Sequence, residues 1–350
     1  MNTSPLTVTS AGDNLQSRWD AFVASRAEGP FYHLFDWKRL NMEAFGHRGE
    51  YLVAQRDGAI EGVLPLVFVT SPVFGRILCS VPFMNYGGPV AATPEAAATL
   101  TAHAIELSDG LYADYLELRC ARPLSTDMQV SLRKVSMTIE LDRDPKKLWQ
   151  GFSTHHRKNL RRALKNGLDV SVGGIELLDP FYRVLELSWR TLGTPLYAKH
   201  YFRRVLEVFP QNTHVYICRH RGAPAAVALV GHFNGNVEGL WAGCDPALRR
   251  LQPNYVLYWE MIQHACNAGY GRFHLGRSTT KSGAEEFKAK WNAQAHQLYW
   301  YFHRPKIGEG GRLPRLNVDN PKYRIAIAAW QHLPLWATRV LGPSLARGIP

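Results

Sequence analysis

The sequence predicts a mixed α/β protein made of two tandem copies of one folding unit, and two observations indicate this. The first is a repeated hairpin. Residues 53–67 (VAQRDGAIEGVLPLV) and 217–230 (ICRHRGAPAAVALV) each read as an apolar strand, a turn centred on Gly58 or Gly222, and a second apolar strand. The second is the element order, because a third strand, a helix and a fourth strand follow in both halves. We therefore expect mixed, mostly antiparallel sheets flanked by helices.

The elements after each hairpin correspond one by one. In the first half the third strand is RILCSV, a helix covers about residues 94–107, and the fourth strand is DYLELR. In the second half the third strand is VEGLWAGC, a helix covers about residues 254–267 with Asn254 as its N-cap, and the fourth strand is RFHLGR. Each fourth strand ends in an arginine, Arg119 in the first half and Arg277 in the second.

The two halves meet near residue 140, where a strand ends and Asp144–Pro145 predicts the start of a helix. We divide the chain into an N-terminal domain (1–140), a C-terminal domain (141–305) and a tail (306–350). The C-terminal domain has a further helix over about residues 180–191. Residues 192–202 (LGTPLYAKHYF) are predicted to form a loop, because Pro195 disfavours helix at the residue before it.

The C-terminal part of the chain begins with a loop-like stretch, residues 303–324. An apolar stretch follows, residues 325–345, which Pro334 and Pro343 interrupt. This stretch is too polar to span a bilayer. It predicts either an amphipathic segment that docks on the protein core or a contact with the surface of a membrane.

The composition favours an anionic partner inside the cell. A net charge of +12 and a pI near 9.5 fit nucleic acid, a phosphorylated substrate or an anionic membrane surface, and a merely basic surface is the alternative. Five cysteines without a CxxC pair predict buried free thiols, and no metal-ligand spacing such as HExxH occurs. The start of the sequence does not read as a secretory signal. We expect a cytoplasmic protein, peripheral at the inner face of the membrane if the C-terminal stretch binds there.

A strongly basic helix is predicted over residues 153–167 (STHHRKNLRRALKNG). Ser153 caps it, and Leu160, Ala163 and Leu164 face inward. The rest of its surface carries basic side chains, including Arg157, Lys158, Arg161, Arg162 and Lys165. Because like charges four residues apart repel each other, a helix face without any acid indicates contact with phosphates; a solvated face is the alternative.

The stretch FHLGRSTTKSGAEEFKAKWN, residues 273–292, places a basic, hydroxyl-rich loop between a buried strand and a helix. Arg277, Ser278 and Lys281 suit a phosphate or a carboxylate, which they would hold through charge-assisted hydrogen bonds. A loop that opens a helix also supplies free N–H groups. The alternative is a capped loop with solvated charges.

Three segments together carry a family resemblance: RKNLRRALKNGLDV, LGTPLY and FHLGRSTTKSGAEEFKAKWN. They are similar to segments of the Fem-type aminoacyltransferases, which build interpeptide bridges of peptidoglycan, and of the wider Fem-like acyltransferases with duplicated GNAT domains. More narrowly, VPFMNYGGPV, NPKYRIAIAAW and LPLWATRVLGP are similar to Fem-like proteins found with exosortase and exopolysaccharide systems. The chain departs from the family pattern at His274, where an acid is frequent, and at Asn292, where a glycine is expected.

The resemblance implies two tandem GNAT-like domains, with the reacting centre in the second. Lys288 takes the position of a lysine that lies at the reacting centre of Fem-type enzymes, which implies that it stabilises the oxyanion of acyl transfer; an exposed helix lysine is the alternative. Phe287 beside it would line the site, and Trp291 lies four residues further on, where a place in the core is the alternative. The family has an acceptor groove near the turn MNYGGP, so Tyr86 is a candidate for substrate contact, or for a turn alone.

The start of the second-half helix determines the expected donor. GNAT enzymes bind the pyrophosphate of acetyl-CoA there with Q/R-x-x-G-x-G/A, whereas this chain reads RRLQPNY without a glycine pair. We therefore expect aminoacyl-tRNA rather than acyl-CoA as the donor, and no tightly bound cofactor. Asn254 and Tyr255, which begin this helix, are the candidate substrate contacts.

Taken together, these features predict an acyltransferase that moves an acyl group, aminoacyl in kind, onto an amine of a cell-envelope, peptidoglycan or exopolysaccharide precursor. Its partners would be anionic, either tRNA or a nucleotide-linked or lipid-linked precursor. Two alternatives stay open: a catalytically idle duplicated-GNAT protein that binds RNA or an anionic glycan, and a CoA-dependent N-acetyltransferase. The residues assign neither a general base nor an oligomeric state.

Overall fold

The structure is a computed structural model that describes residues 4–72, 74–304 and 321–349. Its strands are β1 (Thr7–Ser10), β2 (Arg48–Gly49), β3 (Leu52–Arg56), β4 (Ala59–Leu64), β5 (Leu66–Ser71), β6 (Gly75–Ser80), β7 (Val90–Ala91), β8 (Tyr115–Cys120), β9 (Gln129–Glu140), β10 (Leu168–Gly173), β11 (Thr213–His220), β12 (Ala223–Phe233), β13 (Asn236–Cys244), β14 (Arg272–Thr279) and β15 (Gln294–His303). Its α-helices are α1 (Gln16–Ser25), α2 (Trp37–Phe45), α3 (Pro94–Gly110), α4 (Pro145–Gly151), α5 (Thr154–Leu164), α6 (Leu178–Leu192), α7 (Lys199–Val208), α8 (Pro253–Asn267), α9 (Gly283–Ala289), α10 (Pro321–His332) and α11 (Leu335–Ala346).

The predicted fold class is confirmed. An 11-stranded sheet has the order β10-β11-β12-β13-β14-β9-β15-β8-β6-β5-β2, and a 4-stranded sheet has the order β1-β3-β4-β7. Among the named strands of the described residues, only β6–β8 and β13–β14 pair in parallel. These two parallel pairs occupy equivalent places in the two halves, since a helix, α3 or α8, connects the strands of each pair.

The repeated hairpins are present, and their turns explain the glycines. Asp57 and Gly58 have φ of 49° and 77°, and Arg221 and Gly222 have φ of 49° and 80°. Two successive residues with positive φ form the type I′ turn that suits the twist of a two-residue hairpin. The copies differ at Pro65, which separates β4 from β5 in the first half. These two strands lie in different sheets, whereas the matching strand of the second half, β12, is continuous.

The two halves exchange strands at the middle of the large sheet. β15, from the end of the second half, pairs with β8 on one side and β9 on the other. β9 in turn pairs with β14. The described sheet therefore runs across residue 140, and the domain boundary there stays a prediction.

Several helix boundaries differ from the sequence prediction. Ser153 caps α5 as predicted, but Leu164 is 40% exposed, and His156 is buried instead. The buried stripe of α5 recurs at i, i+4 and i+7, and position 164 lies at its edge, about 40° beyond Leu160. The N-cap of α8 is Gln252 rather than Asn254, because Pro253 takes the first helical position. The predicted loop over residues 192–202 ends early, since α7 begins at Lys199.

The C-terminal segment forms two helices that contact α6. The predicted loop over residues 303–324 lies mostly outside the described residues, but its last four residues belong to α10. Pro334 separates α10 from α11 as predicted, because it is the N-cap of α11. Pro343 was also predicted to interrupt the segment, but it lies inside α11 and does not end the helix. Trp330 and Ala337 are buried in the contact with the protein core. The five cysteines are buried free thiols, as predicted.

Candidate functional site

The site is organised by a fork between two parallel strands. β13 and β14 pair only over Asn236–Arg272, Val237–Phe273 and Glu238–His274, and they diverge beyond that point. We call the point after Glu238 and His274 the strand fork. A cavity of about 180 Å³, the fork cavity, lies between the diverging strands; its lining includes Gly239, Trp241, Tyr258, Leu275, Arg277 and Lys288.

Lys288 lies at the fork cavity because α9 points it back toward β14. Its Nζ donates to the main-chain carbonyls of Gly276 (2.8 Å) and Arg277 (2.9 Å), and the residue is 9% exposed. Burial, with a further contribution from Arg277, lowers the pKa of Lys288 to about 8. An ammonium has three N–H donors, and two are used here, so one can serve a group inside the cavity.

The N-terminal half closes the fork with Asn85. The Asn85 side chain donates to the Gly239 carbonyl (3.0 Å) and to the Tyr32 hydroxyl (2.5 Å), and it accepts from the Arg277 N–H (3.2 Å). Both halves of the chain therefore build the fork. Sequence reasoning missed Asn85, and the only local signal is its place beside Tyr86 in the turn MNYGGP.

A larger cavity of about 460 Å³ lies between the two halves, beside the paired residues of β13 and β14. We call it the interdomain groove. Its lining includes Phe31, Tyr86, Ser136, Glu238, His274 and His296. The structure thus brings Tyr86 to a groove, where the resemblance implies an acceptor. The fork cavity and the interdomain groove share no lining residue among those just named, and the strand fork separates them.

A buried carboxylate stands where the groove meets the fork. Tyr86 Oη donates to Glu238 Oε1 (2.5 Å) and Tyr32 Oη donates to Oε2 (3.0 Å). Burial raises the pKa of Glu238, although both hydroxyls and His274 oppose the rise. His274 Nε2 lies 3.9 Å from Glu238 Oε1, and His274 Nδ1 lies 2.9 Å from Thr138 Oγ1. Sequence reasoning noticed His274 only as a departure and missed Glu238, which lies inside an apolar strand.

The arginines that end the two fourth strands converge. Arg277 donates to the Met84 carbonyl (3.0 Å), and its guanidinium lies 5.3 Å from the centre of the Trp300 ring. Arg119 lies 4.6 Å from the same ring. Burial and the charge of Arg119 lower the pKa of Arg277 to about 10.

The other candidates of this loop and helix have different surroundings. Ser278 is buried, whereas Lys281 is exposed and its N–H donates to Glu285. Trp291 is fully buried and stacks on Tyr258, with 5.9 Å between ring centres. Phe287 packs against the same Tyr258 ring at 5.2 Å. Tyr258 lines the fork cavity, whereas Phe287 and Trp291 pack behind it, so Phe287 does not itself line this cavity as the resemblance implied.

The basic helix adjoins the start of α8. Arg161 and Lys165 are exposed and Arg157 is half-buried. Neighbouring side chains fix the helix there, since Arg162 donates to the Gln252 side chain (3.3 Å) and Asn166 donates to the Leu251 carbonyl (2.9 Å). Asn254 and Tyr255 follow directly in the chain and are half-buried. The structure thus brings the basic face and the predicted donor contacts to one surface.

Comparison with known proteins agrees with this architecture. Residues 154–289 match the family model described as acetyltransferase (GNAT) domain. No curated protein sequence matches the chain. The crystal structure of FemX superposes with a TM-score of 0.63 at 15% identity, over 85% of this chain and 97% of that chain.

Two further structures share the fold. The structure of L-PGS from Bacillus licheniformis has a TM-score of 0.53 at 11% identity, over 93% of this chain and 96% of that chain. A tandem GNAT protein from the clavulanic acid biosynthesis pathway has a TM-score of 0.51 at 14% identity, over 86% and 98% of the two chains. The GNAT domain match over residues 154–289, together with the fold shared with FemX and the tandem GNAT protein, supports an acyltransferase with a GNAT-type fold.

Proposed function

We propose that the protein transfers an aminoacyl group from aminoacyl-tRNA to an amine of a cell-envelope precursor. The observation that carries this proposal is the arrangement of the strand fork. A cavity with a buried ammonium, Lys288, lies between the diverging strands. A groove with a carboxylate–imidazole pair, Glu238 and His274, lies beside the paired part of the same strands. A donor in the cavity and an acceptor in the groove would therefore be held by different residues on either side of the fork.

On the donor side, the reacting carbonyl would lie in the fork cavity. Acyl transfer passes through a tetrahedral oxyanion, and a fixed donor beside that oxygen lowers the barrier. The third N–H of the Lys288 ammonium supplies such a donor. The basic face of α5 beside the start of α8 favours tRNA, and the missing glycine pair before Asn254 disfavours the pyrophosphate of CoA.

On the acceptor side, the amine would lie in the interdomain groove. The 3.9 Å between His274 Nε2 and Glu238 Oε1 is too long for a hydrogen bond between them, and an amine nitrogen about 2.9 Å from each atom fits that gap. The amine attacks the acyl carbon, and its proton passes to this pair. The ester C–O bond then breaks, and the ribose hydroxyl of the tRNA leaves with a proton.

The nature of the acceptor follows from likeness and is part of the proposal. The FemX likeness, and the resemblance to Fem-like proteins found with exosortase and exopolysaccharide systems, support an amine on a peptidoglycan or exopolysaccharide precursor. Such precursors are nucleotide-linked or lipid-linked, and either link is anionic. The positive net charge of +12 suits both this acceptor and the proposed donor.

A donor screen tests the proposal. The purified protein is incubated with either a pool of charged tRNAs or acetyl-CoA, together with nucleotide-linked amino-sugar or muropeptide acceptors, and the products are identified by mass spectrometry. We expect an aminoacylated acceptor with charged tRNA. Consumption of acetyl-CoA instead supports a CoA-dependent N-acetyltransferase, and tight binding of tRNA or polysaccharide without any product supports the catalytically idle alternative.

We also infer a peripheral contact with anionic membranes through α10 and α11. Ile325, Trp336 and Val340 are 72%, 70% and 69% exposed, although these helices are anchored on the core. Exposed apolar side chains on a basic protein suit a bilayer interface. Among the described residues, no helix is both long enough and apolar enough to cross a bilayer.

Vesicle sedimentation tests this contact. We expect the protein to sediment with vesicles of phosphatidylcholine and phosphatidylglycerol, and the double change Trp336→Ser with Val340→Ser to abolish sedimentation. Tyr112→Ser is the matched control, because Tyr112 is 67% exposed on the N-terminal half. Equal sedimentation of the double variant and the control would contradict the contact.

A further inference from the structure

Three cationic side chains surround one indole where the two halves of the sheet join. The charged groups of Arg119, Arg277 and Lys134 lie 4.6, 5.3 and 5.8 Å from the centre of the Trp300 ring. They come from β8, β14 and β9, which are brought together only because β15 lies between β8 and β9. Arg119 is buried, and the other three residues are half-buried, so the cluster is reached from solvent.

The negative charge in this cluster does not balance the positive charge. Glu117 accepts from Arg119 Nε at 2.6 Å. Arg277 donates instead to the neutral carbonyl of Met84 (3.0 Å), and Lys134 donates to the neutral hydroxyl of Thr279 (2.7 Å). Within residues 4–72, 74–304 and 321–349, neither cation forms an ion pair with a carboxylate.

Two further observations favour the binding of an anion at this cluster. Arg119 is only 1% exposed, and its buried Nη1 has no hydrogen-bond partner among the described residues. A buried donor of a charged group that lacks a partner is costly. Burial, Arg277 and Arg119 also lower the pKa of Lys134 to about 8, which shows that the cations repel one another. An anion bound among them would relieve both costs.

We propose that Arg119, Lys134 and Arg277 form an anion site that binds a phosphate or diphosphate group of the acceptor. Two guanidinium groups and an ammonium match a tetrahedral oxyanion with two negative charges, because planar guanidinium forks and a point charge bind phosphate oxygens well. The assignment of this anion to the acceptor rests on the proposed function. The anion site itself does not, since an anion can bind without turnover.

The position of the site gives it a role in the reaction. The main chain of Arg277 is held beside the fork cavity by two hydrogen bonds. Its N–H donates to Asn85, which itself contacts Gly239 of β13, and its carbonyl accepts from Lys288 Nζ. An anionic group held by the Arg277 side chain is therefore fixed three residues along β14 from His274, where the strands diverge. Holding a remote part of the acceptor in this way orients its amine and reduces the entropy that the reaction would otherwise lose.

Calorimetric titration with inorganic pyrophosphate, without donor or acceptor, tests the site directly. We expect Lys134→Gln to weaken binding at pH 7 by about tenfold, or about 1.4 kcal/mol. Arg133→Gln is the matched control: Arg133 is exposed, and its guanidinium is not among the cations found over the Trp300 ring. We expect this control to bind within about twofold of wild type. Absence of pyrophosphate binding by the wild type, or equal weakening by both changes, would overturn the proposal.

The pH dependence separates a bound anion from a structural role of Lys134. The charged groups around Lys134 are Arg277, Arg119, Arg133 and Glu117, of which only Glu117 opposes deprotonation. Wild-type affinity should therefore fall, relative to Lys134→Arg, as the pH rises from 7 to 9, because the arginine keeps its charge. A constant ratio between the two proteins would contradict the proposal.

The same titration distinguishes two sources of the diphosphate. Uridine diphosphate represents a nucleotide-linked acceptor, and farnesyl diphosphate represents a lipid-linked one. Tighter binding of either than of pyrophosphate identifies the source, and equal binding of all three supports recognition of the diphosphate alone. Binding without any product in the donor screen would leave the anion site standing and remove the proposed reaction, so the two failures are distinguishable.

Discussion

The Nζ of Lys288 donates a hydrogen bond of 2.8 Å to the main-chain carbonyl of Gly276, two residues beyond His274, where the pairing of β14 with β13 ends. This bond ties the last turn of α9 to β14 beside the strand fork. It also fixes a buried ammonium at the edge of the fork cavity, where a reacting carbonyl would lie. Burial, with a further contribution from the charge of Arg277, lowers the pKa of Lys288 to about 8.

Replacing Lys288 tests whether this ammonium stabilises an oxyanion. We expect Lys288→Met to lower kcat by about 10²–10³ with little change in KM, because the charge acts mainly in the transition state. Wild-type kcat should also fall as the pH rises through about 8, since the ammonium is then lost. Steady-state kinetics with charged tRNA measures both effects.

Lys290→Met is the control for this change. Lys290 is exposed and lies two residues further along, about 200° around the helix from Lys288. We expect it to behave like wild type. Equal loss in both variants, or no loss in either, would mean that this helix has only a structural role.

The glycine at the fork offers a second test. Gly276 has φ of 81°, and a Cβ there would lie 3.2 Å from the Gly239 carbonyl oxygen and 3.4 Å from Asn85 Oδ1. Gly276→Ala should lower kcat by about 10–100-fold, because a small displacement of reacting groups has a large effect on rate. Gly269→Ala is matched in backbone strain, with φ of 80° and no atom within 4 Å.

Both glycine variants should lose about 1 kcal/mol of unfolding free energy, since alanine is strained at positive φ. Only Gly276→Ala should lose activity. Urea unfolding and kinetics on the same preparations compare the two. If Gly269→Ala loses as much kcat as Gly276→Ala, the effect comes from backbone strain and not from the fork.

Local sequence was sufficient for the features that depend on near neighbours. The hairpin turns at Gly58 and Gly222 were predicted because only a few residue types adopt two successive positive φ values. The caps at Ser153 and Asp144 were predicted for a similar reason, since each side chain accepts a hydrogen bond within its own first turn. The repeat gave the order of elements, which the two parallel strand pairs confirm.

Long-range contacts were beyond such reasoning. Asn85 and Gly239 are 154 residues apart, and Tyr32 and Glu238 are 206 residues apart, so no periodicity connects them. The place of β15 between β8 and β9 likewise follows from tertiary packing. Glu238 looked like an ordinary strand position, because its role depends on two tyrosines from the other half. The roles of Lys288 and Tyr86 were expected from resemblance and stay predictions.

The carboxylate–imidazole pair gives a prediction that separates activity from stability. His274→Gln should lower kcat by about 10²–10⁴, the usual scale for a group that accepts a proton in the transition state. Glu238→Gln should also lower kcat. Its stability should nevertheless equal or exceed that of wild type at pH 7, because the folded pKa of Glu238 is raised.

The sign of the Glu238 effect follows from linkage. A carboxyl whose folded pKa lies above its unfolded value stabilises the fold below the unfolded pKa, and this contribution is lost as the pH rises through the folded pKa. Ionisation of Glu238 as the pH rises therefore removes stability from the wild type, whereas Gln cannot ionise. Urea unfolding at pH 7 measures the difference. A large loss of stability in Glu238→Gln would show that the tyrosine hydrogen bonds to the carboxylate outweigh its burial.

A histidine group remote from the fork should make the fold sensitive to acid. His232 stacks on His214 with 4.9 Å between ring centres, and His264 lies 5.3 Å from His214. Burial, with smaller contributions from His214 and His264, lowers the pKa of His232 to about 4. A histidine with a lowered folded pKa stabilises the fold above about pH 6.5, and this contribution is lost as the pH falls toward 4.

Replacing His232 should weaken this pH dependence. The wild type should lose unfolding free energy between pH 7 and pH 5, and His232→Phe should lose about 1 kcal/mol less, because phenylalanine cannot bind a proton. His200→Gln, at an exposed position on α7, is the control and should follow the wild type. Urea unfolding at the two pH values decides it. The same loss in His232→Phe and wild type would show that this group does not govern the acid response.

The basic face of α5 provides the test that concerns tRNA alone. Arg161 and Lys165 are exposed on this face, one turn apart. If they contact phosphates, the affinity for tRNA should fall steeply with salt, because each neutralised phosphate releases counterions. The double change Arg161→Gln with Lys165→Gln should reduce the slope of log K against log salt by about 1.4–1.8, at about 0.7–0.9 for each lost contact. The midpoint of thermal unfolding should change little, since neither residue forms an ion pair among the described residues and their mutual repulsion is removed. Filter binding from 50 to 300 mM salt, in about five steps, gives the slope.

A double variant at Lys146 and Lys147 of α4, changed to Gln, is matched in charge but lies on another helix and should keep the wild-type slope. An unchanged slope in the α5 variant would show that this face is merely solvated, and tRNA would then have to bind elsewhere.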